Sequence, residues 1–305
     1  MVWTRSGMPQ GAAAAVRGVK GVSRVATVTG GLIWGPGPGP YERFFETAYI
    51  EPGPIAQDLL GGTRAAFSET GAGLLGQWIP RLGGLRVAPS VTVSDRAALG
   101  FEGVSVGRAP KGWGRDFLLV ATTNRPALRT AVAGLLEGAA FRIRSQRQTP
   151  LLRYADSVAP PMYFKQHFGN FSAVRVGGTL RIHPRWRDLS IVRTQIPLLG
   201  ELTCHRKLIG PLRDAMAEIE QMGLASEIVD HAGCFSARFI GSDPTSALSA
   251  HAWGAAIDIN ASQNPQGAEP TMDPRIVEVM KRNGFNWGGG WLLPDGMHFE
   301  WGQQP

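Results

Sequence analysis

Hydrophobic residues recur at helical spacing in two stretches near the C-terminus of the chain. In the first, apolar side chains fall three or four residues apart from Leu208 to Met222, and Gly223 follows directly. This spacing predicts an amphipathic helix that ends at a glycine C-cap. The second stretch begins with Asp273 and Pro274, which typically supply the N-cap and the first residue of a helix. We therefore predict two helices in this part of the chain.

Strand patterns accompany these helices. Residues 256–259 and 297–301 alternate in character as strands do. In the first half of the chain, residues 22–28 predict a strand and residues 126–137 a helix. Helices and strands mix without a repeating strand–helix–strand order, so we predict an α+β fold. The C-terminal domain is expected to contain a small antiparallel sheet flanked by helices, and the N-terminal domain is expected to be α+β as well.

Charge is distributed unevenly along the chain. Residues 1–200 contain 24 basic and 11 acidic side chains, whereas residues 201–305 contain 7 basic and 13 acidic ones, with four of the six histidines. Such sorting predicts two domains. We place the N-terminal domain at residues 1–150, a proline-containing linker at 151–161 and the C-terminal domain at 162–305.

Composition excludes several classes of protein. An apolar content of 43% is too high for a disordered chain. No stretch approaches the ~18 consecutive apolar residues of a membrane span, and no secretory signal peptide is visible. The basic N-terminal domain lacks a nucleic-acid-binding motif, so we expect no nucleic-acid partner. Its charge predicts either an ordinary solvated surface or contact with another anionic polymer.

The segment of residues 249–260 contains the first candidate chemistry. His251 and Asp258 stand seven residues apart, with Gly254 between them. If Asp258 lies in the middle of a strand, Ile257 and Ile259 face the core and Asp258 faces the opposite side. A chain reversal at Gly254 would then return His251 to the carboxylate. A carboxylate on an otherwise apolar strand is costly unless it is paired or bound to a metal.

A second cluster of polar residues, Asp295, His298 and Glu300, follows near the C-terminus. Strand alternation places His298 and Glu300 on the same face. Two histidines and one carboxylate, with a fourth position left to water, are the ligand count of a catalytic zinc site. Asp295 would add a second carboxylate beside that water and accept its proton during hydrolysis.

The two segments together indicate a family. The pattern SxHxxGxAxDIN at residues 249–260, followed by DxxHFEW at 295–301, resembles the zinc D-alanyl-D-alanine carboxypeptidases and the related L-alanyl-D-glutamate endopeptidases of phage lysins. Similar flanking residues extend the resemblance over residues 160–305. It implies a zinc peptidase domain that hydrolyses peptide bonds in the stem peptides of bacterial peptidoglycan.

The resemblance also implies roles for individual residues. His251, Asp258 and His298 match the positions of the Zn²⁺ ligands, and Asp295 matches the general base. Arg238 matches the arginine that such enzymes place near the scissile carbonyl. There its guanidinium would bind a substrate carboxylate or stabilise the oxyanion.

Three assignments remain open. Many relatives carry glutamate at the position of Asp295, although a subset carries aspartate there. Glu300 is a rival base, but its place two residues after a ligand on a strand favours a supporting role. Ser249 is expected either to orient a ligand or bind substrate, or to act as a local turn hydroxyl. Cys204 and Cys234 form either a disulfide bond or two buried thiols.

Two other functions compete with a peptidase. Non-haem Fe(II) oxygenases also use two histidines and a carboxylate, but they usually place histidine and carboxylate one residue apart, whereas six residues separate His251 from Asp258. Hedgehog signalling domains resemble this zinc scaffold yet act chiefly as ligands, so the alternative is a non-catalytic zinc-containing cell-wall binding module. We expect an extracellular or cell-envelope location, reached by lysin-type release, where the basic domain would contact an anionic cell-wall polymer.

Overall fold

The computed structural model describes residues 2–4, 7–50, 66–68, 86–88, 90–92, 116–143, 159 and 161–302. The chain divides into an N-terminal unit, formed by Met1–Gly35 and Phe44–Asp156, and a C-terminal unit, formed by Pro36–Arg43 and Ser157–Pro305. Helices and antiparallel strands occur in both, as expected for the α+β class. Of the predicted linker, only Ala159 and Pro161 lie among the described residues, and its bounds stay a prediction.

The helices within the described residues are numbered α1 to α6: Ala12–Arg17, Arg125–Leu135, Pro161–Phe168, Pro184–Ser190, Arg206–Gln221 and Pro274–Arg282. None of these helices is long and apolar enough to cross a membrane. The strands there are numbered β1 to β16: Val2–Thr4, Val22–Pro36, Glu42–Ile50, Ala66–Ser68, Arg86–Ala88, Ser90–Thr92, Asp116–Thr122, Phe141–Ile143, Ser172–Val176, Thr179–Ile182, Ile191–Ile196, Gly200–His205, His231–Gly233, Ala256–Ile259, Phe285–Trp287 and His298–Trp301.

The N-terminal unit is built on antiparallel pairs. β1 lies between β7 and β8, and β2 pairs with the other edge of β7. The strand predicted at residues 22–28 lies within β2, and the helix predicted at 126–137 overlaps α2. Apolar side chains from these strands and from α1 and α2 form a buried core: Val2, Ala12, Val16, Val25, Leu118, Leu128, Val132, Leu136 and Ile143.

The C-terminal unit contains two hairpins and a four-stranded sheet. β9 pairs with β10, and β11 pairs with β12. The sheet has the order β13-β14-β16-β15, and all its neighbours are antiparallel. The strands predicted at residues 256–259 and 297–301 correspond to β14 and β16, the two central strands. The prediction of a small antiparallel sheet is therefore confirmed.

Both helices predicted in this unit are confirmed. α5 is followed by Gly223 in the left-handed conformation, with φ 72°. α6 begins at Pro274, and the side chain of Asp273 accepts a hydrogen bond from the Arg275 N–H at 2.7 Å. α5 contacts α6 and the β11–β12 hairpin, and α6 contacts β15, so α6 flanks the four-stranded sheet and α5 packs against α6. Their buried faces carry Leu208, Leu212, Met216, Ile219, Ile276, Val277 and Met280.

A disulfide bond joins Cys204 on β12 to Cys234, which directly follows β13. The structure therefore contains the bridge rather than two thiols. The bond connects positions 30 residues apart and ties the β11–β12 hairpin to the sheet that carries the candidate site.

Candidate metal centre

His251 and Asp258 are brought together by the turn between them. The Ser249 hydroxyl accepts a hydrogen bond from the His251 N–H at 3.3 Å and caps a short 3-10 turn. Gly254 ends this turn with φ 63°, a left-handed conformation that reverses the chain before β14. A Cβ at Gly254 would lie 2.7 Å from the backbone nitrogen of His205, so glycine is required there. The predicted reversal is confirmed.

Asp258 and His298 face each other across neighbouring strands. In the antiparallel pair of β14 and β16, Asp258 lies opposite His298, and Ile257 lies opposite Phe299. Because side chains alternate between the two faces of a strand, the apolar pair packs into the core and the polar pair lies on the other face. That face is covered too, since Asp258 and His298 are only 6% and 7% exposed.

Three potential ligand atoms converge on this face. His251 Nε2 lies 3.1 Å from Asp258 Oδ1 and 3.2 Å from His298 Nδ1. The same Asp258 oxygen lies 2.9 Å from His298 Nδ1. Within the described residues, these three side chains form a group that could bind a metal ion. Imidazole nitrogens and a carboxylate oxygen are ligands of zinc, and three of them leave a fourth position open.

In each histidine, the ring nitrogen that faces away from Asp258, here called the outer nitrogen, already has a polar partner. His251 Nδ1 donates to the carbonyl oxygen of Cys234 at 2.8 Å, and His298 Nε2 faces Glu300 Oε2 at 3.4 Å. Carbonyl and carboxylate oxygens accept protons in hydrogen bonds, so each neutral histidine carries its proton on the outer nitrogen. Both rings then direct an electron pair toward the oxygen of Asp258. Three electron pairs this close repel one another unless a cation lies between them, and the donor set therefore fits a metal ion.

The charges of the site also favour a cation at its centre. Burial lowers the pKa of His298, but hydrogen bonds to Asp258 and Glu300 outweigh burial and raise that pKa to about 10. Burial raises the pKa of Asp258, but its close contacts with the imidazoles of His251 and His298 outweigh burial and hold that pKa well below its ordinary value. A proton on His298 thus supplies the positive charge when no metal ion does.

Asp295 lies beside this group, three residues before His298. Its backbone carbonyl accepts the His298 N–H at 3.1 Å. Its Oδ2 accepts from Gln266 Nε2 at 3.0 Å, whereas Oδ1 is buried without a hydrogen-bond partner in the described part of the chain. Burial raises the pKa of Asp295, although the nearby His298 opposes the shift. A carboxylate with an unpaired oxygen and a raised pKa has the properties of a general base.

Comparison with known proteins finds a family match for the segment that carries these residues. Residues 242–301 match the family model described as D-alanyl-D-alanine carboxypeptidase. The family resemblance is confirmed over this segment. The match supports a metallopeptidase, and it includes the three converging side chains and Asp295. No curated protein and no solved structure matches the chain.

Glu300 lies behind His298, one of the three side chains that could bind a metal ion. It is 2% exposed, its Oε1 accepts the Ala159 N–H at 2.8 Å, and its Oε2 faces the outer nitrogen of His298. Both oxygens are therefore engaged on the side of His298 that is remote from Asp258. This arrangement favours a supporting role for Glu300 and leaves Asp295 as the better candidate for the base.

Arg238 and Ser249 are neighbours through the main chain. The Ser249 N–H donates to the Arg238 carbonyl at 3.2 Å, and the adjacent residues Phe239 and Leu248 form a β-bridge. Arg238 therefore approaches the turn that carries His251, although it lies outside the matched segment. The Ser249 hydroxyl caps that turn. Roles of either side chain in substrate binding stay predictions.

Two groups around the candidate metal centre were not predicted from the sequence. The Cys234 carbonyl orients His251, and no side chain in the sequence marks a backbone acceptor. Gln266 contacts Asp295 because the Gly267 N–H donates to the Pro294 carbonyl at 2.7 Å, which brings the two loops together. The Asn-Pro-Gln-Gly segment at residues 264–267 was the available indication, but its partner depends on tertiary structure.

Proposed function

We propose that the protein is a zinc-dependent peptidase that hydrolyses peptide bonds in the stem peptides of bacterial peptidoglycan. The activity is of the D-Ala-D-Ala carboxypeptidase or the L-Ala-D-Glu endopeptidase type. The convergence of His251 Nε2, Asp258 Oδ1 and His298 Nδ1 carries this proposal. Support comes from their place inside a segment that matches a D-alanyl-D-alanine carboxypeptidase family.

His251, Asp258 and His298 would bind the zinc ion. Their hydrogen bonds to Cys234 and Glu300 fix the orientation of the two rings and raise their basicity. When bound, zinc supplies a Lewis acid that polarises the substrate carbonyl and makes a water molecule more acidic. Asp258 contributes the negative charge that partly neutralises a buried cation.

Asp295 would transfer the proton. Its Oδ1 has no hydrogen-bond partner among the described residues and is therefore available to accept a proton from the attacking water. The same proton passes to the nitrogen of the leaving amine as the peptide bond breaks. A raised pKa makes the carboxylate a stronger base, which favours the first of these two transfers.

Arg238 and Ser249 would bind the substrate. The planar guanidinium of Arg238 suits a terminal carboxylate or the oxyanion that develops during attack. A carboxypeptidase would use Arg238 for the C-terminal carboxylate of D-Ala, whereas an endopeptidase would need an open groove. The Ser249 oxygen already accepts from the His251 N–H, but its own hydroxyl proton is still able to donate to a substrate.

The basic N-terminal domain would hold the enzyme on an anionic cell-wall polymer, outside the cell or in its envelope. Its surplus of basic side chains supports this proposal. Such attraction is screened by salt. The full-length protein is therefore expected to sediment with purified cell walls at low ionic strength and to be released at high ionic strength. Absence of sedimentation at low salt would remove this part of the proposal.

Metal analysis combined with mass spectrometry of digested peptidoglycan tests the proposed function. The purified protein is expected to contain about one zinc ion per chain, and His251→Ala is expected to lose it. The masses of the products identify the bond that is cleaved. Asp295→Ala is expected to keep zinc but to lose at least about 10²-fold in rate. His231→Ala, on β13 of the same sheet, is the matched control and should retain both properties.

Each other outcome has a distinct meaning. Iron as the native metal would support an oxygenase instead. Bound zinc without cleavage of any muropeptide, D-Ala-D-Ala dipeptide or Ala–Glu bond would replace the peptidase with the alternative, a non-catalytic zinc-containing cell-wall binding module. Full cleavage by Asp295→Ala would show that Asp295 is not the base.

A further inference from the structure

Gln266 is an exposed glutamine beside the candidate metal centre, and the proposed peptidase reaction assigns it no role. Gln266 donates from Nε2 to Oδ2 of Asp295 at 3.0 Å. This bond occupies one oxygen of the carboxylate. The other oxygen, Oδ1, is buried and has no hydrogen-bond partner among the residues that the structure describes. The bond thus makes the two oxygens of Asp295 chemically different.

The loop that carries Gln266 is fastened to the segment that carries the aspartate. The Gly267 N–H donates to the Pro294 carbonyl at 2.7 Å, and the Met297 N–H donates to the Asn264 carbonyl at 3.2 Å. These bonds lie on either side of the amide–carboxylate contact along both segments. The backbone of Gln266 is therefore placed by main-chain hydrogen bonds, and its side chain reaches the carboxylate from a defined position.

The chemistry of Asp295 explains why such a donor matters. The terminal torsion of an aspartate side chain has a broad, roughly two-fold energy profile, so packing alone does not determine which oxygen faces the reaction. A donor on Oδ2 fixes the plane of the carboxylate. An amide does so without the full positive charge of lysine or arginine, which would lower the pKa of the base and weaken it.

We propose that Gln266 is a positioning residue, which binds Oδ2 of Asp295 so that Oδ1 receives the proton during hydrolysis. This inference rests on the proposed function, because it assigns the residue that orients the base of that reaction. Gln266 acts through Asp295 and does not itself contact the reacting atoms.

A double-mutant cycle tests the positioning role, with a purified muropeptide as substrate. Gln266→Ala is expected to lower kcat about tenfold and to leave KM within about twofold. Gln266→Glu keeps the size of the side chain but removes the donor, and it should lower kcat at least as much. In the Asp295→Ala background, Gln266→Ala should cause no further loss. The matched control is Gln263→Ala, an exposed glutamine on the same loop, which should leave kcat unchanged.

A second measurement reports the bond without any turnover. The side-chain amide resonances of Gln266 are assigned in an NMR spectrum by their loss in Gln266→Ala. Asp295→Ala is expected to shift these resonances and to leave those of Gln263 in place. Unshifted Gln266 resonances would overturn the bond, and losses of kcat that add in the double variant would overturn action through Asp295. A parent protein that cleaves no substrate overturns the proposed function together with the role of Gln266 in catalysis. The spectrum by itself tests whether the hydrogen bond between Gln266 and Asp295 exists.

Discussion

Zinc binding to the metal-free protein is expected to release at least about one proton per chain, because the ion replaces the proton that His298 carries. The pKa of His298 is raised to about 10, whereas an unperturbed histidine has a pKa of about 6.5. Burial opposes this shift, but the hydrogen bonds to Asp258 and Glu300 prevail. At pH 7.5, a group with such a pKa is protonated in nearly every molecule. Nearly every binding event must therefore displace a proton.

The same protonation makes zinc affinity depend on pH. Between pH 7.5 and 9.5, the apparent affinity is expected to rise at least about tenfold per pH unit, because the proton on His298 competes with the ion. The stability of the metal-free protein should change in the opposite direction. A raised folded-state pKa contributes stability that is fully present below pH ~6.5 and is lost as the pH rises toward about 10. The zinc-loaded protein should not show this loss, since the ion supplies the positive charge.

Calorimetric titration in several buffers of the same pH measures the proton count. The observed heat varies linearly with the ionisation enthalpy of the buffer, and the slope is the number of protons released. A slope of at least about one is expected at pH 7.5, because ionisation of a zinc-bound water adds to the proton released by His298. His231→Ala should leave the slope unchanged, because His231 lies outside the ligand group. A slope near zero would refute the argument, since it would mean that His298 is neutral before zinc binds.

Three further changes test the surroundings of the centre. Glu300→Gln removes the carboxylate behind His298 and is expected to weaken zinc binding about 10- to 100-fold in a chelator competition assay. Gly254→Ala introduces a Cβ at a left-handed position against backbone and should lower the free energy of unfolding by at least ~1–3 kcal/mol, whereas Gly210→Ala, with open space around it in α5, should raise it by up to ~1 kcal/mol. Replacing Cys204 and Cys234 by serine should cost about 3–4 kcal/mol in denaturant unfolding for a loop of this length, and equal stability of the parent in oxidising and reducing buffer would contradict the bridge.

The parts of the centre that depend on local sequence could be predicted. The reversal at Gly254 needs a residue that tolerates a positive φ, and the register of β14 follows from Ile257 and Ile259, which must face the core. Once these constraints apply, His251 has to return toward Asp258. Chemistry within ten residues of chain therefore determines two of the three members of the ligand group, and the same local reasoning predicted α5 and α6.

Contacts between distant parts of the chain could not be predicted in this way. The Ala159 N–H reaches Glu300 across 141 positions, and the Cys234 carbonyl reaches His251 across 17. Neither backbone group belongs to a residue whose side chain indicates this role. The assignment of Pro36–Arg43 to the C-terminal unit is a further example, because it depends on strand pairing with β9. Such pairings are decided by tertiary packing and not by local propensity.

The uneven distribution of charge indicated two domains, but it does not identify the site. Most acidic side chains in residues 201–305 lie at the surface, where ion pairs such as that of Asp273 with Arg275 contribute little to stability. Among the described residues, the buried carboxylates are Asp258, Asp295 and Glu300. Each would be costly without a partner. Asp258 contacts the two histidines, Asp295 accepts from Gln266, and Glu300 contacts the outer nitrogen of His298 and the Ala159 N–H. The net charge of the segment would be unchanged if these three were moved to the surface, whereas the metal centre would be lost. Burial together with a specific partner, rather than the sum of charges, is therefore what marks the carboxylates of the candidate metal centre in this chain.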